Sequence, residues 1–253
     1  MYDLPSYVWA LAFVGVIGIP AATCAALYRG AIAVGLGRRT ATVVAMAAGA
    51  AWAGWLMASG LLAGVGAFRQ DPTVVRPWIG IAFVAAVAVG LLATRIPVMS
   101  RILADPGTPA RLALPQTLRV VGVAFLIVLA LGKLPAVFAI PAGLGDIAVG
   151  VAAPLVARRL TRGTHRTSAV WFNVLGIVDL VVAVSIGYLA GLGPNRLLHV
   201  TPSTEAVALL PLALIPTTAV PLAIALHLVS LRRLRAAARP DATVGGHTVQ
   251  AAD

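Results

Sequence analysis

Apolar residues run in long blocks along this chain, broken by short connections that carry arginine, glycine and proline. A helix that crosses a bilayer needs roughly 20 consecutive apolar residues. By that measure the pattern predicts seven spans, at 7–27, 41–66, 77–94, 112–132, 134–157, 168–190 and 205–230. Only Lys133-Leu134-Pro135 separates the fourth from the fifth. The longest connection, 95–111, contains the turn signal Asp105-Pro106-Gly107, and its Ile96–Leu103 part is expected to lie along the membrane surface. The expected fold class is therefore an all-α integral membrane protein, a seven-transmembrane-helix bundle.

Basic residues orient the bundle. Connections on one side carry Arg29, Arg38, Arg39, Arg95, Arg101, Arg111, Arg158, Arg159, Arg162, Arg166, Arg232, Arg233, Arg235 and Arg239, 14 in all. The other side has 4, namely Arg69, Arg76, Lys133 and Arg196, while Arg119 falls inside the fourth span. Positive charge is retained in the cytoplasm, so the amino terminus is expected outside and the carboxyl terminus inside. Tyr7, Trp9, Trp78 and Tyr188 at outer ends, with Tyr28 and Trp171 at inner ends, fit aromatic rings anchored at headgroup level. Residues 1–236 form one membrane domain, and 237–253, which lacks apolar periodicity, is expected to be a disordered cytoplasmic tail.

Composition agrees with a multi-pass inner (plasma) membrane protein: 60% hydrophobic, 11% charged, mean hydropathy +0.97. The net charge of +11 sits in topology clusters without interleaved aromatics, which argues against a nucleic-acid partner. Arginine provides all the basic residues except Lys133, in a chain rich in Ala, Val and Gly, a bias expected of a GC-rich bacterial genome. Cys24 is the sole cysteine and no His-x-x-x-His spacing occurs, so neither a disulfide, a metal site nor a cofactor is expected. No positive region precedes the first apolar run, so a cleaved signal peptide is not expected. The expected partners are the lipid bilayer, a proton or small cationic solute, and, as an open option, further copies of the chain.

Against this background two acids stand out. Asp146 lies near the middle of the fifth span and Asp179 near the middle of the sixth, and at about 1.5 Å per residue they fall at nearly the same depth. Thr217 and Thr218 mark the middle of the seventh span and Trp52 and Trp55 that of the second, with Arg119 about 4 to 5 Å to the cytoplasmic side of its own midpoint. A charge at the bilayer centre costs about 2.5–3.5 kcal/mol on insertion scales. One explanation is packing alone, Arg119 pairing with one aspartate. The other is a site that takes up a proton or binds a cation.

Proline and glycine add detail. Pro141, Gly143 and Gly145 lead into Asp146, which predicts a break in the fifth helix just before its acid, as transporter binding sites often have. In the seventh span Pro211, Pro216 and Pro221 disturb the carbonyls of Val207, Leu212 and Thr217, and other donors must satisfy them at bilayer depth. At its outer end Thr201-Pro202, with Glu205 close behind, reads as a helix N-cap. Asn173 is expected to act as polar glue between helices, and His227 to hydrogen-bond near the inner interface.

Three functions fit. The first is a small proton- or cation-coupled transporter or permease using the midplane aspartates. The second comes from Gly143-Leu144-Gly145-Asp146, which resembles the G-x-G-D signature of presenilin-like and prepilin-type peptidases and implies an intramembrane aspartyl hydrolase. The partner aspartate precedes that signature in those families, whereas Asp179 comes after it here, and the P-A-L motif of presenilin-like members is absent. The third is a non-catalytic assembly or sensory protein. Of these the transporter is favoured and an enzyme is the lesser expectation; retinal is excluded because the one lysine, Lys133, is outside the last span.

Overall fold

The computed structural model describes residues 4–163 and 166–237, so residues 238–253 of the expected tail lie outside the described residues. Helices α1 (Ser6–Ala33) and α2 (Gly37–Gly64) come first, followed by α3 (Trp78–Ala93) and the short α4 (Pro97–Leu103). Helix α5 (Thr108–Ala113) runs through a 3-10 segment, Leu114–Gly122, into α6 (Val123–Ala130). Helices α7 (Ala136–Thr161) and α8 (Arg166–Leu189) precede a short 3-10 turn at Thr204–Ala208. The last span is a π-helical turn, Ile215–Ala219, continued by α9 (Val220–Ala236). There is no strand among the described residues.

Six helical runs are long and apolar enough to cross a membrane, and the bent pair α3–α4 would make a seventh. Helix α3 has 16 residues, about 24 Å at 1.5 Å per residue, short of a typical hydrocarbon core. It stops because Pro97 forces Ile96 into an extended conformation (φ −61°, ψ 130°), and α4 leaves at 83°. The turn at Asp105 is closed by its side chain, which accepts from the Gly107 amide at 2.8 Å and pairs with Arg111.

One expectation about a helix break is reversed. Helix α7 continues unbroken through Pro141, Gly143 and Gly145. Its glycines serve close packing instead: a Cβ on Gly143 would meet Leu126 and the Gly122 carbonyl, and one on Gly150 would meet Val120 and the Thr117 carbonyl. The breaks lie in the segments that α7 and α8 pack against. In the fourth span the backbone tightens to 3-10 geometry between Pro115 and Gly122, so that Gln116, Arg119 and Gly122, three apart, line up on one buried edge.

The seventh span is not helical from residue 205. Residues 209–213 form a bend and turns, and helix begins at Leu214, leading into the π-turn at Ile215. Pro216 occupies the first turn of the helical run, where a missing amide costs least, whereas Pro221 comes after the π-turn in the same run and withholds an amide from the Thr217 carbonyl. Thr201 is not the cap: Ser203 Oγ accepts from the Glu205 amide at 3.3 Å, and it opens only a 3-10 turn of 5 residues.

The last span is the most enclosed, with 78% of its most apolar window buried, and α2 the least, with 11%. Helices α3, α5 and α8 pack around α9, with α1 touching it more lightly, while the 114–122 segment lies between α7 and α1 and α2 leans on α1.

Candidate functional site: an arginine holding two carboxylates at the end of a cavity

Arg119 sits on the 3-10 edge with only 2% of its side chain exposed, and all three of its guanidinium nitrogens are engaged. Nε donates to Asp146 Oδ1 at 2.7 Å, and Nη2 donates to Asp179 Oδ2. Nη1 lies 3.3 Å from His227 Nε2. His227 Nδ1 is 2.9 Å from Asn173 Oδ1, while Asn173 Nδ2 donates to the Ala169 carbonyl at 2.7 Å. These bonds fix the tautomer. The Asn173 amide must give its NH2 to Ala169, so its oxygen accepts from His227 Nδ1–H, which leaves Nε2 as the acceptor for Arg119. His227 is thus a neutral third ligand of the guanidinium.

The chain makes room for this network with glycine. A Cβ on Gly122 would run into Asp146, one on Gly145 into Asp179, and one on Gly176 into the His227 ring. The second glycine of G-L-G-D therefore has a packing reason: it lets Asp179 of α8 lie directly against α7. Phe172 closes the far side of His227, ring centroids 5.4 Å apart.

Two carboxylates face one guanidinium, so the ionised cluster carries one net negative charge. A buried ion triad is held in place by geometry more than by net stabilisation, because desolvation offsets the Coulomb gain. The aspartates are not sealed. Asp146 and Asp179 keep 15% and 16% of their side chains exposed, both into a cavity of about 270 Å³. Phe83 forms part of its wall and Phe125 and Phe138 touch it by small edges, while Arg76, Pro77 and Tyr188 form its exposed rim. A separate void of about 30 Å³, the size of one water, touches Arg119 and Asp146 from the α1 side.

The rim is built by two connections tied together. Gln70 Oε1 accepts from the Leu192 amide at 2.5 Å, and Thr204 Oγ1 donates to the Gly187 carbonyl at 2.6 Å. At the rim Asp71 accepts from the Thr73 hydroxyl at 2.6 Å and the Thr73 amide at 2.8 Å, and lies 3.4 Å from Arg76. The Thr73 hydroxyl, then the Thr73 amide, hold the Asp71 carboxyl below its usual range, with a smaller contribution from Arg76.

Of the seven residues expected near one plane, the structure brings Arg119, Asp146 and Asp179 together. The other four lie elsewhere. Thr217 and Thr218 are buried, and their hydroxyls donate to the Ala213 carbonyl (2.7 Å) and the Leu214 carbonyl. Trp55 Nε1 donates to the Thr217 carbonyl at 2.8 Å, the group left without its amide partner by Pro221. Trp52 packs among apolar residues around α1 and lines a second, apolar cavity of about 470 Å³.

Asn173 does join two helices, bonding from α8 to His227 of α9, whereas His227 is buried within the network and not set at an interface. Sequence reasoning missed Gln116, which is fully buried and donates to the Ala223 carbonyl at 3.2 Å. The available signal was the polar side chain itself in an apolar span, with Gly176 as the space for the imidazole. No group of three or more His, Cys, Asp or Glu side chains able to hold a metal occurs among the described residues.

No curated protein and no solved structure matches this chain. One family model does, over residues 76–235, a stretch that includes Gln116, Arg119, Asp146, Asn173, Asp179 and His227. The protein belongs to the family described as "Domain of unknown function (DUF8737)".

Proposed function

We propose that the protein is a multi-pass transporter or permease of the bacterial plasma (inner) membrane, coupled to a proton or a cation through Asp146 and Asp179. One observation carries this reading: two carboxyl groups that share one guanidinium keep surface in a cavity instead of being closed off by apolar packing. A purely structural cluster has no need of carboxyl surface in a cavity, and a charge left uncompensated in the interior costs stability. Arg119 holds the two carboxylates in place, and the carboxylate surface left in the cavity takes the proton or cation.

The arginine bias places the amino terminus outside, so the rim at Arg76 and Tyr188 opens on the outer side. Breaks near mid-membrane, at Leu114–Gly122 and at residues 209–219, are where transporters commonly build sites and hinge. A hydrolytic dyad fits less well. Two aspartates that activate water share a proton and lie open to that water, whereas here a guanidinium occupies the space between them.

The test is flux in proteoliposomes under an imposed pH or cation gradient. Wild-type protein should show gradient-driven flux, and the Asp146→Asn/Asp179→Asn double variant should lose it while still inserting and eluting normally. Undiminished flux in that variant would sink the proposal.

A further inference from the structure

We infer that the cavity beside Asp146 and Asp179 binds a monovalent organic cation with an aromatic or comparably bulky apolar body. The inference rests on the cation branch of the proposed function and names the class of cation. Charge sets the first constraint. With both carboxyls ionised beside one guanidinium, a single positive charge balances the cluster, a dication overshoots, and a neutral guest leaves it uncompensated.

Size and lining then separate organic from inorganic cations. The cavity of about 270 Å³ is nearly ten times the share of a water molecule, far more than a proton or a bare ion fills. An inorganic cation needs a shell of several oxygens, whereas here the two carboxylates are already shared with Arg119 and most of the remaining wall is carbon. Phe83 is the more accessible ring of the lining, and Phe125 and Phe138, which meet edge to face at 5.4 Å, reach the cavity by small edges. Such rings supply apolar area and a cation–π surface to an ammonium that has shed its water. Arg76 at the rim does not exclude a cation, because it is exposed to solvent and lies 3.4 Å from Asp71.

The probe is phenethylamine, charged at neutral pH, set against phenethyl alcohol, its neutral counterpart, and sodium ion alone. Each is titrated by calorimetry against the full-length protein in nanodiscs. The amine should bind saturably and the alcohol at least about tenfold more weakly, the scale of one charge-assisted contact. Asp179→Asn should weaken the amine by at least about tenfold, and Phe83→Leu by about threefold to tenfold. Trp52→Phe, in the separate apolar cavity, should bind like wild type, and unchanged elution of each variant shows that it is folded.

Equal affinity for amine and alcohol, as a site for lipid chains would show, or amine binding that survives Asp179→Asn, overturns the inference. Aspartate-dependent proton or sodium flux without any amine binding also overturns it while leaving the transporter reading intact. Amine binding with the stated dependence but no flux in proteoliposomes upholds the inference and removes the transporter reading instead.

Discussion

Two polar regions lie deep in this bundle, and they solve different problems. Around the π-turn, Trp55, Thr217 and Thr218 repair backbone: each donates to a carbonyl of the proline-broken segment. Around Arg119, side chains bond to side chains, and the aspartates still keep surface in a cavity. Both regions carry residues that are costly in lipid. What separates them is whether the polar atoms are used up internally. The first region makes a broken helix tolerable; the second keeps ionisable side chains at the edge of a cavity.

Removing the arginine should break this contrast most severely. Arg119→Leu leaves two acids facing each other with no cation, and it should destabilise the protein by about 3–5 kcal/mol, the range for removing one partner of a buried pair. Reversible unfolding in mixed micelles checks the value. A loss under about 1 kcal/mol would show that the aspartates do not depend on Arg119. Adding Asp146→Asn and Asp179→Asn should recover part of the loss by removing the orphaned charge.

A smaller effect is expected one layer out. Gly145→Ala pushes a methyl against the Asp179 carboxylate, which Arg119 prevents from swinging away, and it should cost about 1–3 kcal/mol as overpacking. His227→Leu should cost a similar amount, because both Arg119 and Asn173 lose a partner. Either variant at wild-type stability would contradict the close approach described for α7, α8 and α9.

Least affected should be the repaired backbone. Trp55→Phe keeps an aromatic ring but leaves the Thr217 carbonyl unbonded, for a loss of about 1 kcal/mol and no change in flux. A flux defect here equal to that of the aspartate variants would erase the distinction between the two regions.

Much of the bundle is legible in the sequence because lipid imposes one simple rule: backbone polar groups must be satisfied within the span, so long apolar runs become helices. Counting residues gives depth, and depth alone is enough to associate Asp146, Asp179 and Arg119. It cannot give the azimuth of each helix. Trp52, Thr217 and Thr218 have suitable heights, yet they face α1 and their own backbone. Asn173 and His227, which depth sets toward the other end of their spans from the cavity rim, are reached because Arg119 also lies on that side and spans the difference.

Glycine is the ambiguous letter. Before Asp146 it predicts a helix break, but in α7 it allows neighbours to approach. Nothing in the local sequence separates these uses, since the answer depends on which side chain arrives from another helix. The 3-10 geometry of residues 114–122 is hidden for the same reason: its three-residue register shows only once Gln116, Arg119 and Gly122 are known to be buried together.

Both proposals for the site require a negatively charged, accessible cavity that ends at Asp146 and Asp179. Because Cys24 is the single cysteine, Cys24→Ala gives a clean background for one introduced thiol. Ala183 lies one turn from Asp179 and lines that cavity, while Trp52 lines the apolar one. In sealed proteoliposomes, Ala183→Cys should react with a cationic methanethiosulfonate at least about tenfold faster than with an anionic one, the enrichment expected of a one-sign cleft. The preference should collapse with Asp179→Asn, and Trp52→Cys should react with neither reagent. Equal rates at Ala183→Cys, or no reaction there, would contradict a cavity that gathers positive charge.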